Sequence, residues 1–188
     1  MNLSLTPLQI AAIVVAGAGA TTDLRTGKIY NLLTFPAAAV GIVMHMILYG
    51  PLMFIWALAG WLVGAVIMTL IKLAGKPFWG NQALTFGDVK LIAAIGAFLG
   101  PGAVTLVIFY SCLCWGFPAI FLILKALPWK VIYAALASRQ VKDPGKMLVS
   151  KEAREKGKRA MPVGPAIAAA TIITCLLEKQ TLAFLGFD

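Results

Sequence analysis

Residues 85–100 read TFGDVKLIAAIGAFLG, an apolar, glycine-dotted run with Asp88 and Lys90 at its mouth. Gly100-Pro101-Gly102 then breaks the run, and a second apolar stretch follows directly. A carboxylate opening such a segment is expensive unless water, a partner or a function accounts for it. The neighbouring sequence sets the solvent. The chain of 188 residues is 61% hydrophobic and only 12% charged, with a mean hydropathy of +0.90. Soluble domains carry about a quarter charged residues, so a bilayer is the expected surroundings, and the length suits a single domain over 1–188.

Windows of about 20 apolar residues predict an all-α polytopic membrane protein with about six transmembrane helices. The spans fall roughly at 5–22, 32–50, 52–74, 88–100, 102–127 and 162–178. Gly50-Pro51 and Gly100-Pro101-Gly102 are read as tight links. The fourth span is short unless Phe86 and Gly87 also enter the membrane. With this topology 15 of the 16 Lys and Arg residues share one side, and Lys179 alone lies on the other. The basic side is the expected cytoplasmic face, with the N- and C-termini outside.

Residues 128–161 form a basic cytoplasmic loop in this reading. Between Ser138 and Arg159 it holds eight basic and three acidic residues, a solvated stretch suited to anionic lipid headgroups. The net charge of +9 follows from this asymmetry, and no nucleic-acid partner is expected. The first span lacks a basic segment before it and reads as a retained helix, not a cleaved signal. Cys112, Cys114 and Cys175 are expected to be small buried apolar residues, not a zinc site or disulfide set. His45 is expected to be a packed residue, with no metal site. Trp79 and Trp129 suit the interfacial belts. The glycine runs AGAGA and GWLVG suit close helix packing. No nucleotide fingerprint follows a strand, and no cofactor is expected.

Of seven acidic residues, only Asp23 and Asp88 fall within the first 142 positions, and the topology puts both at one depth on the basic side. Ionisable groups at membrane depth face the bundle interior or a wet cavity and are functional candidates. Two aspartates brought close in a poorly solvated site do not both ionise easily and share a proton. That state serves peptide hydrolysis: one carboxylate acts as base on water, and the other polarises the scissile carbonyl. Simpler roles compete. Asp23 can close a helix end or pair with Arg25 or Lys28, and Asp88 can cap the fourth helix. A proton-coupled transporter would use the same carboxylates.

Three segments resemble the type IV prepilin peptidases, membrane aspartic proteases of the GxGD type. GDVKLIAAIGAFLG resembles their second active-site segment, DLRTGKIYNLLTFP their first, and MPVGPAIAAA the entry to their last helix. The resemblance implies Asp23 and Asp88 as the catalytic pair, with Gly87, Lys90 and Asn31 beside them and Pro162, Gly164 and Pro165 at the last helix entry. It implies cleavage of a short basic leader from prepilins or pseudopilins at the cytoplasmic face of a prokaryotic inner membrane. The sequence departs from the pattern at Thr85, where the motif has glycine, and at Tyr30, where the family has proline. Met1 stands just before the first span, whereas larger relatives carry a cysteine-containing N-terminal region and N-methylate their product. The expectation is therefore a short, peptidase-only form, with a catalytically silent pilus-assembly protein as the alternative. At the last helix entry, a substrate strand pairing with backbone competes with a plain helix start containing Pro in its first turn.

Overall fold

A computed structural model describes residues 5–79, 84–126 and 163–184, which are helical throughout apart from their links. The basic loop, Trp129, Pro162 and the side chain of Trp79 lie outside the described residues. Helix α1 spans Pro7–Thr26, α2 Asn31–Tyr49, α3 Phe54–Trp79, α4 Phe86–Ala126 and α5 Gly164–Phe184, with a single 3-10 turn at Pro51–Met53 before α3. Among the described residues, four segments are long and apolar enough to cross a membrane: Pro7–Thr26, Asn31–Tyr49, Pro51–Ala74 and Phe86–Gly116, the last counted across a break at Gly100. Gly164–Leu177 is a shorter apolar helix.

Local chemistry sets the boundaries. Thr6 and Gln9 close a reciprocal capping box at the start of α1, with bonds of 2.9 and 3.3 Å, and Pro7 occupies the first turn. Helix α1 ends on Gly27 in the left-handed conformation, whose N–H returns to the Asp23 carbonyl at 2.8 Å. It therefore runs past the expected end at residue 22 and carries Asp23 within its last turn.

The decisive break is at Gly100, whose φ of 82° and ψ of 176° are not helical. In a straight helix, residues eight apart are separated by about 12 Å. Here a Val104 methyl lies 3.1 Å from where a Cβ on Gly96 would stand. The chain thus reverses at Gly100, and α4 is a hairpin with arms 86–99 and 101–126. The arms match the two runs expected on either side of Gly100-Pro101-Gly102, with the first arm starting at Phe86. Its 14 residues span about 21 Å, less than the roughly 30 Å hydrocarbon thickness of a bilayer.

That short arm is the centre of the molecule. Leu91, Ile92, Ala94, Ile95 and Ala97 have no accessible surface, and Phe98 has almost none. Around it pack α1, α2, α3 and α5. Small residues permit the approach. The backbones of Gly60 on α3 and Gly96 touch, and a Cβ on Gly41 of α2 would meet the Ala97 backbone at 3.0 Å. The outer faces of α2 and α3 present Leu32, Phe35, Val43, Ile47, Leu62 and Val66, all exposed. So broad an apolar surface suits lipid contact, not water. Cys175 is buried as expected and Cys114 half-buried, but Cys112 is exposed. The expectation of three buried cysteines is corrected there, because a lipid-facing surface accepts apolar side chains as readily as a core.

Candidate active site

Asp23 lies on the inward stripe of α1. The buried residues of that helix are Leu8, Ala12, Ala16, Gly19, Ala20 and Asp23, the three-and-four spacing of a single helical face. The carboxylate continues a small-residue stripe and is itself only 8% exposed. The first residue of α5 meets it: the Gly164 N–H donates to Asp23 Oδ2 at 2.8 Å. A helix N-terminus offers unpaired N–H groups and a partial positive charge to an anion. The approach demands glycine, since a Cβ on Gly164 would fall 2.8 Å from the Asp23 Cβ and 3.1 Å from the Ala20 Cα. Among the described residues Asp23 pairs with neither Arg25 nor Lys28, which are both exposed.

Asp88 opens the central arm and is 2% exposed. Its Oδ2 accepts two hydrogen bonds from Thr85, one from the backbone N–H and one from the hydroxyl, both at 2.8 Å. The Asp88 N–H returns to the Thr85 hydroxyl oxygen at 3.4 Å. The capping role considered for Asp88 is thus present, as half of a reciprocal box with Thr85. The Oδ1 atoms of Asp23 and Asp88 carry no hydrogen-bond donor among the described residues.

The two acids share one end of the bundle. A Cβ on Gly19, one turn before Asp23, would fall 2.6 Å from Leu91, which lies about one turn after Asp88. Helix α1 and the arm run in opposite senses across that contact, so both aspartates lie just beyond it, and the charge of Asp23 acts on Asp88. Lys72 of α3 also acts on Asp88, and its ammonium lies 3.2 Å from the centre of the Phe86 ring.

The other expected site residues surround this end. A Cβ on Gly87 would fall 2.9 Å from the Ile29 Cβ, so this glycine seats the start of α4 against the link between α1 and α2. Lys90 donates to Asn31 Oδ1 at 2.8 Å and lies 5.3 Å from the Phe35 ring centre, tying the arm to the first turn of α2. Pro165 occupies the first turn of α5. Thr85 and Lys72 are contributors that sequence reasoning did not place at the site: Thr85 entered it only as a departure from the motif's glycine, and Lys72 only among the basic residues that share one side. The Thr-x-x-Asp spacing of a capping box was the available signal for Thr85. At the opposite end of the bundle His45 is buried, with its Nδ1 3.2 Å from the Gly41 carbonyl oxygen. It lines a cavity of about 300 Å³ with Thr6, Gln9, Tyr49, Trp56 and Phe98, well away from the acids.

The chain is 28% identical over 169 residues to prepilin leader peptidase/N-methyltransferases of two Burkholderia pseudomallei strains, 1026b and K96243. The alignment covers 87% of this chain and 44% of each relative, so the chain spans less than half the length of the curated relatives it matches. No solved structure matches it significantly. The sequence profile of the type IV leader peptidase family matches residues 10–120, which include both buried aspartates; the chain belongs to that family.

Proposed function

We propose that this protein is a membrane aspartic endopeptidase that removes the short basic leader from prepilins or pseudopilins, with Asp23 and Asp88 as its catalytic pair. The supporting observation is that two buried carboxylates lie at the same end of an apolar bundle, with Asp23 among the charged groups that act on Asp88. Family membership and the naming of the relatives support the substrate class.

The chemistry follows from the hydrogen bonds. Each Oδ2 is held, Asp23 by Gly164 and Asp88 by Thr85, so the Oδ1 atoms are the ones available to share a proton and hold a water molecule. The ionised carboxylate takes a proton from that water while the water oxygen adds to the scissile carbonyl carbon. The protonated partner donates to the carbonyl oxygen, which carries the developing charge. The amide nitrogen then takes a proton as the C–N bond breaks, and the products are a carboxylate and a new N-terminal amine. Water must reach this site, which favours the end of the bundle over its middle.

In this reading the chain is one peptidase domain of six spans, counting the hairpin arms and α5 separately, in the inner membrane. The acids share their end of the bundle with Arg25, Lys28, Lys72 and Lys90, which supports a cytoplasmic site by the positive-inside rule. A substrate with a basic leader and an apolar helix would present its junction at that depth. The proposal covers the peptidase step alone, without N-methylation.

Co-expression with a candidate prepilin tests the reading in cells. Wild type should trim the leader, and Asp23→Asn and Asp88→Asn should leave it uncut at equal expression and membrane insertion. Equal trimming by all three would sink the reading. Solute flux driven by a proton gradient would mark a transporter, and function preserved in both Asn variants would mark an assembly protein without catalysis.

A further inference from the structure

We propose that Thr85 is a positioning residue for the reaction, whose hydroxyl fixes the carboxylate of Asp88; this rests on the assignment of Asp88 to the catalytic pair. Two observations separate it from an ordinary helix cap. In a capping box the Thr oxygen need only accept from the N–H three residues on, and here that bond is the long one, at 3.4 Å. The short bond runs the other way: the hydroxyl donates to Asp88 Oδ2 at 2.8 Å, beside the Thr85 N–H at the same distance. Two donors on one oxygen hold the carboxylate plane and direct Oδ1 away from Thr85. Bonds to a carboxylate are also among the stronger hydrogen bonds a protein makes.

Among the described residues the hydrogen bonds to the Asp88 carboxylate come from Thr85, while Lys72 and Asp23 act on it through their charges. The residue before it is Gly87, and its side chain is buried at the start of an arm in which Lys90 is the other charged residue. Asp23 is held differently, by a backbone N–H from a distant helix, which no substitution except proline deletes. The pair is therefore asymmetric. One acid is held by backbone alone, and the other by a backbone N–H together with a hydroxyl that substitution can remove. A glycine at position 85 keeps the backbone donor and discards the hydroxyl, so Thr85 adds a contact that the motif's glycine cannot supply.

The test compares Thr85→Ser, Thr85→Ala and Thr85→Gly with wild type and with Asp88→Asn, using full-length protein in detergent and a synthetic prepilin peptide. Cleavage rate at saturating substrate, KM and thermal stability are all read. Loss of the hydroxyl should lower kcat about tenfold in both the Ala and Gly variants, with KM within about twofold, and Ser should restore most of the rate. Gly replaces a Thr cap at small cost in stability whereas Ala does not, so a pure cap would lower stability in Ala most and leave kcat unchanged in both. That outcome overturns the proposal, as does a fall in kcat confined to the Gly variant, which would mark backbone freedom. Full cleavage by Asp88→Asn would overturn the catalytic pair itself; an inactive Asp88→Asn beside fully active Ala and Gly variants would overturn the role of Thr85 alone.

Discussion

The N–H of Gly164 meets Oδ2 of Asp23 at 2.8 Å across 141 residues of sequence, joining the first turn of the last helix to the last turn of the first. The contact seats α5 against α1 and gives a buried carboxylate a charge-compatible partner. A methyl group at 164 has no room, because it would press on both the Asp23 side chain and the α1 backbone at Ala20. Gly164→Ala should therefore push α5 outward or turn the carboxylate. The expected result is a loss of cleavage of about a hundredfold with about 1–3 kcal/mol of lost stability. Parallel measurements of cleavage and thermal unfolding in detergent check both.

Lys90 and Asn31 make a second long-range tie, 59 residues apart, between the central arm and α2. Lys90→Met and Asn31→Leu should each weaken the protein modestly, and the double variant should be no worse than the weaker single. A double-mutant cycle should give a coupling of about 1 kcal/mol. Additive effects would mean that the bond contributes nothing in the membrane.

The packing of α3 on the arm rests on bare backbone, with Gly60 and Gly96 in direct contact. Gly60→Ala should destabilise the protein by about 1–3 kcal/mol or prevent its folding. Gly17→Ala is the matched control, since nothing lies within 4 Å of a Cβ there, and it should stay within about 0.5 kcal/mol of wild type. Thermal unfolding of the two variants distinguishes them directly.

Much of this arrangement was legible in the sequence because burying charge in an apolar chain is costly. Asp23 and Asp88 stood out as the two acids of a long, largely apolar stretch with no other carboxylate side chain, and the structure brings them to one end. Gly100-Pro101 announced a reversal because neither residue continues a helix easily. The partners of the acids were less accessible. The Gly164–Asp23 bond depends on how the first and last helices meet, which no local pattern encodes. Thr85 was read only as a departure from the motif's glycine, although its spacing from Asp88 is that of a capping box. Lys72 was read as a topological charge, and its reach to Asp88 depends on how α3 packs. The exposure of Cys112 was hidden for a different reason: hydropathy separates membrane from water but not a lipid-facing side chain from a core one.

The most direct test of the catalytic pair uses purified protein in detergent, a prepilin substrate, and N-terminal sequencing of the product. Wild type should release the leader at one bond. Asp23→Asn and Asp88→Asn should each slow that cleavage on the order of a thousandfold while keeping helical content and thermal stability near wild type. Cleavage at the same bond and an undiminished rate in either variant would contradict the account.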